Sequence, residues 1–117
     1  MTDRLGLQIV IEQAGPVAIA CLRGPIDSET IESFQHGVGP LCSPSGARVL
    51  IDFVGVTYIN SRGIGLLMKY HRGLLVSRGQ LALCALNSKL VRTLDLLQIG
   101  KALNIYPTRD EALAALK

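Results

Sequence analysis

The second half of the chain constrains the fold most. From residue 47 onward, apolar runs of strand length alternate with segments that repeat their apolar residues at helical spacing. "ARVLIDF" (47–53) and "QLALCAL" (80–86) are nearly continuous apolar runs and read as strands buried on both faces; "LNIY" (103–106) is a short last strand that Pro107 ends. Between them, Ile64, Leu67, Met68, His71, Leu74 and Leu75 share one face of a helix running from Ser61 to about Ser77, and Gly79 stops it. Leu90, Val91, Leu94 and Leu97 form a second apolar stripe after a cap at Asn87 or Ser88, closed by Gly100. Thr108-Arg109-Asp110-Glu111 fits a capping box, and Ala112, Leu113 and Leu116 face inward from a short final helix. Regular alternation of this kind implies parallel strands joined by right-handed crossovers.

The first 46 residues add a hairpin and a helix. "LQIVIEQ" (7–13) and "VAIACLR" (17–23) read as strands joined at Gly15-Pro16, and Gly24-Pro25 ends the second. Asp27 and Ser28 offer caps for a helix whose face is Ile31, Phe34, Val38 and Leu41, weakened at its end by Gly37, Gly39 and Pro40. "SPSG" (43–46) reads as a loop and "VGVTY" (54–58) as a connector. The expected order is β-β-α-β-α-β-α-β-α: an α/β fold with a mostly parallel sheet and helices packed against it, one domain over residues 1–117. Aromatics make up only 4 % of a chain that is 49 % hydrophobic, so the core is aliphatic. That composition favours helices layered on a sheet over an aromatic-rich sandwich.

Several function classes drop out. No run approaches the ~20 apolar residues of a membrane span. "MTDRLGLQIV" lacks a basic head followed by an apolar segment, so no signal peptide is expected. Cys21, Cys42 and Cys84 are odd in number and widely spaced, and Cys21 and Cys84 sit in apolar runs. They read as buried free thiols in a reducing cytoplasm, and no Cys or His spacing implies a metal or another cofactor. The net charge is only +3, but no acidic residue occurs between Phe53 and Leu94, where Arg62, Lys69, Arg72, Arg78, Lys89 and Arg92 lie. One side of the molecule is expected to be positive, either as a solvated helix face or as the contact for an acidic protein partner. The cations are dispersed and no aromatics interleave with them to stack on bases, which ranks nucleic acid behind a protein.

"YINSRGIGLL" (58–67) places Ser61 where a strand passes into a helix. A nucleophile elbow needs G-x-S-x-G, and Ile59 occupies the first glycine position. His71 lies in the same expected helix, roughly 15 Å away along its axis, too far to serve as a base. Gly63-Ile64-Gly65 is not followed by the third glycine of a dinucleotide fingerprint, because position 68 is Met. Two roles stay open. Asn60 or Ser61 caps the helix, or Ser61 is modified. A phosphate at a helix N-terminus is tolerated by its own domain, since free N–H groups and the positive end of the helix dipole surround it. A partner face docked there would meet new bulk and about −1.5 to −2 charges.

These residues resemble the STAS domain family, and within it the small bacterial anti-sigma factor antagonists of the sporulation and stress-response type. "YINSRGIGLL" is similar to the family's strand–D-S-S-G-L-G–helix motif, and "VLIDFVGVTYI" to the strand before it. "LRGPIDSET" resembles the L-x-G-E-L-D-x-x-T loop, and "QLALCALNSKLVRTLDLLQI" and "NIYPTRDEALAAL" resemble the last two βα units. The resemblance implies a non-enzymatic binding module. Its partner is an anti-sigma factor, a serine kinase of the histidine-kinase-like ATPase fold, which phosphorylates Ser61 and is thereby released. A serine phosphatase restores the binding form. Asp27 matches the loop aspartate beside the phosphorylation site. Asn60 stands in place of the motif aspartate and Arg62 in place of the second serine, removing one negative charge and adding one positive. The expected partner surface is Asp27, Asn60, Ser61, Arg62, Gly63 and the side of the following helix that carries Leu66 and Tyr70, both off its inward stripe. The alternative is a STAS module without a switch, a scaffold or small-ligand site in which Ser61 is only a cap.

Overall fold

The structure is a computed structural model and describes residues 6–116. The expectation about a signal peptide falls partly on residues 1–5, outside the described residues. The elements are β1 (Gln8–Ala14), β2 (Val17–Ile26), α1 (Ile31–Cys42), β3 (Arg48–Ile59), α2 (Ser61–Val76), β4 (Gln80–Cys84), α3 (Ser88–Leu96), β5 (Asn104–Tyr106) and α4 (Arg109–Leu116). One sheet runs in the order β1-β2-β3-β4-β5. β1 and β2 form the antiparallel hairpin, and every later pairing is parallel.

The near-continuous apolar runs are explained by burial on both faces of the sheet. Residues alternate between two cores. Ala20, Leu22, Val49, Ile51, Leu81 and Leu83 pack with buried residues of α1, α2 and α3. Val17, Ile19, Leu50, Ala82 and Cys84 point the other way and pack against Ala112 and Leu116 of α4.

The structure departs from the expected boundaries where it matters most for the site. β2 does not end at Gly24-Pro25 but continues to Ile26, and residues 54–58 are strand rather than connector. The pairing absorbs the awkward residues at two register shifts, Cys21/Arg23 and Gly24/Pro25. Pro25, which has no N–H to give, sits at one of them, and Gly24 adopts φ +108. Gly55 supplies the close approach: a Cβ there would lie 3.0 Å from the Leu22 carbonyl oxygen and closer still to Arg23.

Other expectations change locally. α1 starts at Ile31 after Thr30, with no side-chain cap, and it runs through Pro40 to Cys42. Leu75 and Leu97, expected inward, are exposed. Cys84 is buried, but Cys21 is only half-buried, because it lies at the margin of the smaller core beside Arg109. Thr108 behaves as the capping box requires at one end: its Oγ1 accepts from the Glu111 N–H at 3.2 Å.

Candidate functional site

The long β2–β3 pair builds the site. The last β3–β4 partners are Asp52 and Cys84, whereas β2 accompanies β3 as far as Ile26 and Ile59. The loop after β2 and the joint after β3 therefore emerge side by side beyond the rest of the sheet. The Asn60 N–H donates to the Ile26 carbonyl at 2.9 Å and fastens the two.

At the joint, Asn60 is the cap. Its backbone is extended (φ −91, ψ 177), its Oδ1 accepts from the Gly63 N–H at 2.9 Å, and its carbonyl accepts from the Ile64 N–H at 3.0 Å. Ser61 is then free of capping duty. It is exposed as the first residue of α2, and its Oγ has no hydrogen-bond partner among the described residues. Gly63 lets the helix start against the strands: a Cβ would lie 2.8 Å from both Ile26 Cγ2 and Ile59 Cγ1.

Asp27 does not cap α1, as the sequence suggested. Its Oδ1 accepts from the N–H groups of Glu29 (2.9 Å) and Thr30 (3.2 Å), an Asx-type turn. Its own N–H donates to Thr30 Oγ1 at 2.9 Å, and that hydroxyl donates to the Pro25 carbonyl at 2.8 Å. The loop is thus held rigidly beside the joint.

Asp27, Asn60, Ser61, Arg62 and Gly63 are brought together; Leu66 and Tyr70 are not equivalent to them. Neither points away from the core. Both are half-buried and packed on its margin. Tyr70 lies roughly 14 Å along α2 from Ser61. It belongs to the α1–α2 seam, its ring 6.3 Å from that of Phe34. Burial raises the pKa of its hydroxyl.

The joint also lines an open groove of about 280 Å³ that sequence reasoning missed. Ile59, Ile64 and Leu90 form its floor, Tyr58 and Leu97 stand on its sides, and Lys89 is its one charged lining residue among the described residues. The signal available in the sequence was an exposed apolar residue in each of two βα units, but nothing local says that the crossover brings Tyr58 to Leu97.

The family model of the STAS domain matches residues 8–112. The chain belongs to the STAS domain family. The BtrV protein of Bordetella bronchiseptica, named as a proposed anti-sigma factor antagonist, is 27 % identical over 114 residues, covering 95 % of this chain and 96 % of its own. The crystal structure of an anti-sigma factor antagonist from Mycobacterium paratuberculosis superposes with a TM-score of 0.84 at 24 % identity, covering 94 % of this chain and 93 % of that one. SpoIIAA of Bacillus matches in its unphosphorylated form (TM-score 0.73, 16 % identity, 92 % and 95 % covered) and in its phosphorylated form (TM-score 0.69, 18 % identity, 94 % and 100 % covered). Among the described residues, no helix of this STAS domain is long and apolar enough to cross a membrane.

Elsewhere in the STAS domain, chemistry gathers around Arg109, on the opposite face of the sheet. Its guanidinium donates to Asp52 Oδ2 at 3.1 and 3.0 Å and to Glu12 Oε1 at 2.8 Å. The bond to Arg109, reinforced by the Cys21 thiol, holds the Glu12 carboxyl below its usual pKa. This cluster fastens α4 to β1 and β3. The sequence shows Arg109 only as part of a capping box, because its partners lie 57 and 97 residues away. Burial pushes the Cys42 and Cys84 thiols up to about 12, so neither is poised to react.

Proposed function

We propose that this STAS domain is an anti-sigma factor antagonist whose binding is switched by phosphorylation of Ser61. Unphosphorylated, it sequesters an anti-sigma factor that is also a serine kinase; phosphorylated, it lets go, and a serine phosphatase resets it. The observation that carries the reading is the division of labour at the joint. Asn60 caps α2, so Ser61 can gain a phosphate without costing the helix its cap. That weighs against the alternative in which Ser61 serves only as the cap. A phosphate on residue 61 meets the N-terminal end of the α2 dipole and the neighbouring Arg62, both of which tolerate an anion. A docked protein face does not, because charge enters a desolvated contact. The relatives support the role: those named above are described as anti-sigma factor antagonists, or, for SpoIIAA, in unphosphorylated and phosphorylated forms.

The arrangement gives no support to hydrolytic chemistry at Ser61. α2 is unbroken from Ser61 to Val76, so His71 stays roughly 15 Å along the axis, and His71 is buried. Intact-mass spectrometry of the chain purified from its own cells tests the proposal. A single added phosphate mapped to Ser61 by fragmentation, together with an anti-sigma factor that co-purifies only with the unphosphorylated form, is expected. A phosphate confined to other residues, or a partner that binds both forms equally, contradicts it.

A further inference from the structure

The groove beside Ser61 is an apolar recess with a charged guard, and nothing among the described residues covers it. Tyr58 and Leu97 on its sides are 51 % and 53 % exposed. At about 280 Å³ it is smaller and more open than the pockets of roughly 300–1,000 Å³ that enclose whole small molecules. A closed apolar cavity of about 150 Å³ already holds a benzene ring, so this groove has room for one large side chain.

We propose that the groove between the end of β3 and α3 docks a segment of the protein partner that presents an apolar side chain flanked by carboxylates. This deepens the reading of Ser61 as a switched docking site and rests on it. The charge pattern selects the occupant. Among the described residues, Lys89 is the groove's only charged lining residue. Arg62 and Arg92, which flank it on α2 and α3, are exposed. Among the described residues, none of these three cations is in an ion pair; both pairs present belong to Arg109. The nearby carboxylates do not pair with them: Asp27 is tied into its own loop, and Asp95, three residues beyond Arg92 on α3, forms no ion pair among the described residues. A second copy of the chain is disfavoured by the same pattern, because a twofold contact through this face sets cation against cation. An apolar anchor in the groove, with a carboxylate reaching Lys89, satisfies both the exposed apolar surface and the unpaired charge.

Photo-crosslinking from the groove's edge tests this. Tyr58→p-benzoylphenylalanine keeps an aromatic ring in place and reports what enters, with the cross-linked residue mapped by mass spectrometry. The expected product joins residue 58 to an apolar residue of the co-purifying anti-sigma factor, within two or three positions of an Asp or Glu. Lys89→Glu is expected to lower the yield about tenfold, as reversal of one interfacial charge would, whereas Lys89→Arg retains it. Thr93→Trp, which fills the groove while leaving Lys89 in place, also lowers it, with circular dichroism confirming that each variant is folded. Cross-links to a second copy, to nucleic acid or to a basic segment overturn the proposal. So does the absence of a cross-link while the anti-sigma factor still co-purifies with the unphosphorylated chain, a result that leaves the Ser61 reading standing. Loss of both the cross-link and the co-purification overturns the two together.

Discussion

The chain contains two strand-to-helix joints that are nearly the same in chemistry: Asn60-Ser61-Arg62 after β3 and Asn87-Ser88-Lys89 after β4. Both asparagines cap their helices, Oδ1 accepting from the N–H three residues on at 2.9 Å in one and 2.8 Å in the other. Both serines and both cations are exposed. The difference is in what surrounds them. β3 carries Ser61 beyond the end of β4, next to the Asp27 loop and on the edge of the apolar groove. Ser88 follows the shorter β4, does not line that groove, and its asparagine side chain is spent partly on β3, Nδ2 donating to the Val56 carbonyl at 3.4 Å. Where Gly63 draws α2 down against Ile26 and Ile59, the matching residue of α3 is Leu90, which instead forms the groove's floor. Residue type alone thus fails to distinguish the two joints; strand length does.

The largest contrast is in modification. Ser61→Ala is expected to abolish phosphorylation by the partner kinase, and Ser88→Ala to leave it intact, read as incorporated phosphate. Equal loss from the two variants breaks the distinction. Next comes binding. Ser61→Asp is expected to weaken the anti-sigma factor complex by about 2–3 kcal/mol, roughly a hundredfold, while Ser88→Asp changes it little, both measured by calorimetry. Stability sharpens the comparison further. Gly63→Ala forces a methyl against Ile26 and Ile59 and is expected to cost about 2 kcal/mol in urea denaturation. Gly65→Ala, whose Cβ meets nothing within 4 Å, is expected to stabilise by up to about 1 kcal/mol through helix propensity. The caps have an effect of similar size: Asn60→Ala and Asn87→Ala are each expected to cost about 1 kcal/mol. No loss from Asn60→Ala shows that the Ser61 hydroxyl can take over as cap, and removes the division of labour on which the switch rests.

Most of the architecture is legible in the residues because each βα unit announces itself locally. Ile64, Leu67 and Leu74 mark one helix face, and "VLI" and "LAL" mark strands covered on both sides. The extension of β2 and β3 is not legible in the same way. Gly24-Pro25 and Gly55 look like breaks, yet in the sheet they are the residues that permit a bulge and a close crossing. Ser61 can be singled out because a serine at a strand-to-helix joint is a local pattern and the surrounding motifs resemble a family. Its freedom from capping cannot, since Asn60 and Ser61 are both suitable caps until the backbone chooses. The groove is invisible in the sequence for a different reason: Tyr58 and Leu97 become neighbours only through the crossover from β3 to α3. Likewise Tyr70, off the inward stripe of its own helix, is half-buried because α1 lies alongside α2.

The central claim is that an anion at residue 61 spoils docking and spares the fold. Its most direct test installs phosphoserine at position 61 of the full chain by genetic-code expansion and measures, on the same sample, the melting temperature and the affinity for the anti-sigma factor. Melting within about 3 °C of the unmodified chain, with binding lost, is the predicted result. A phosphorylated chain that still binds, or one that binds poorly because it no longer folds, contradicts it.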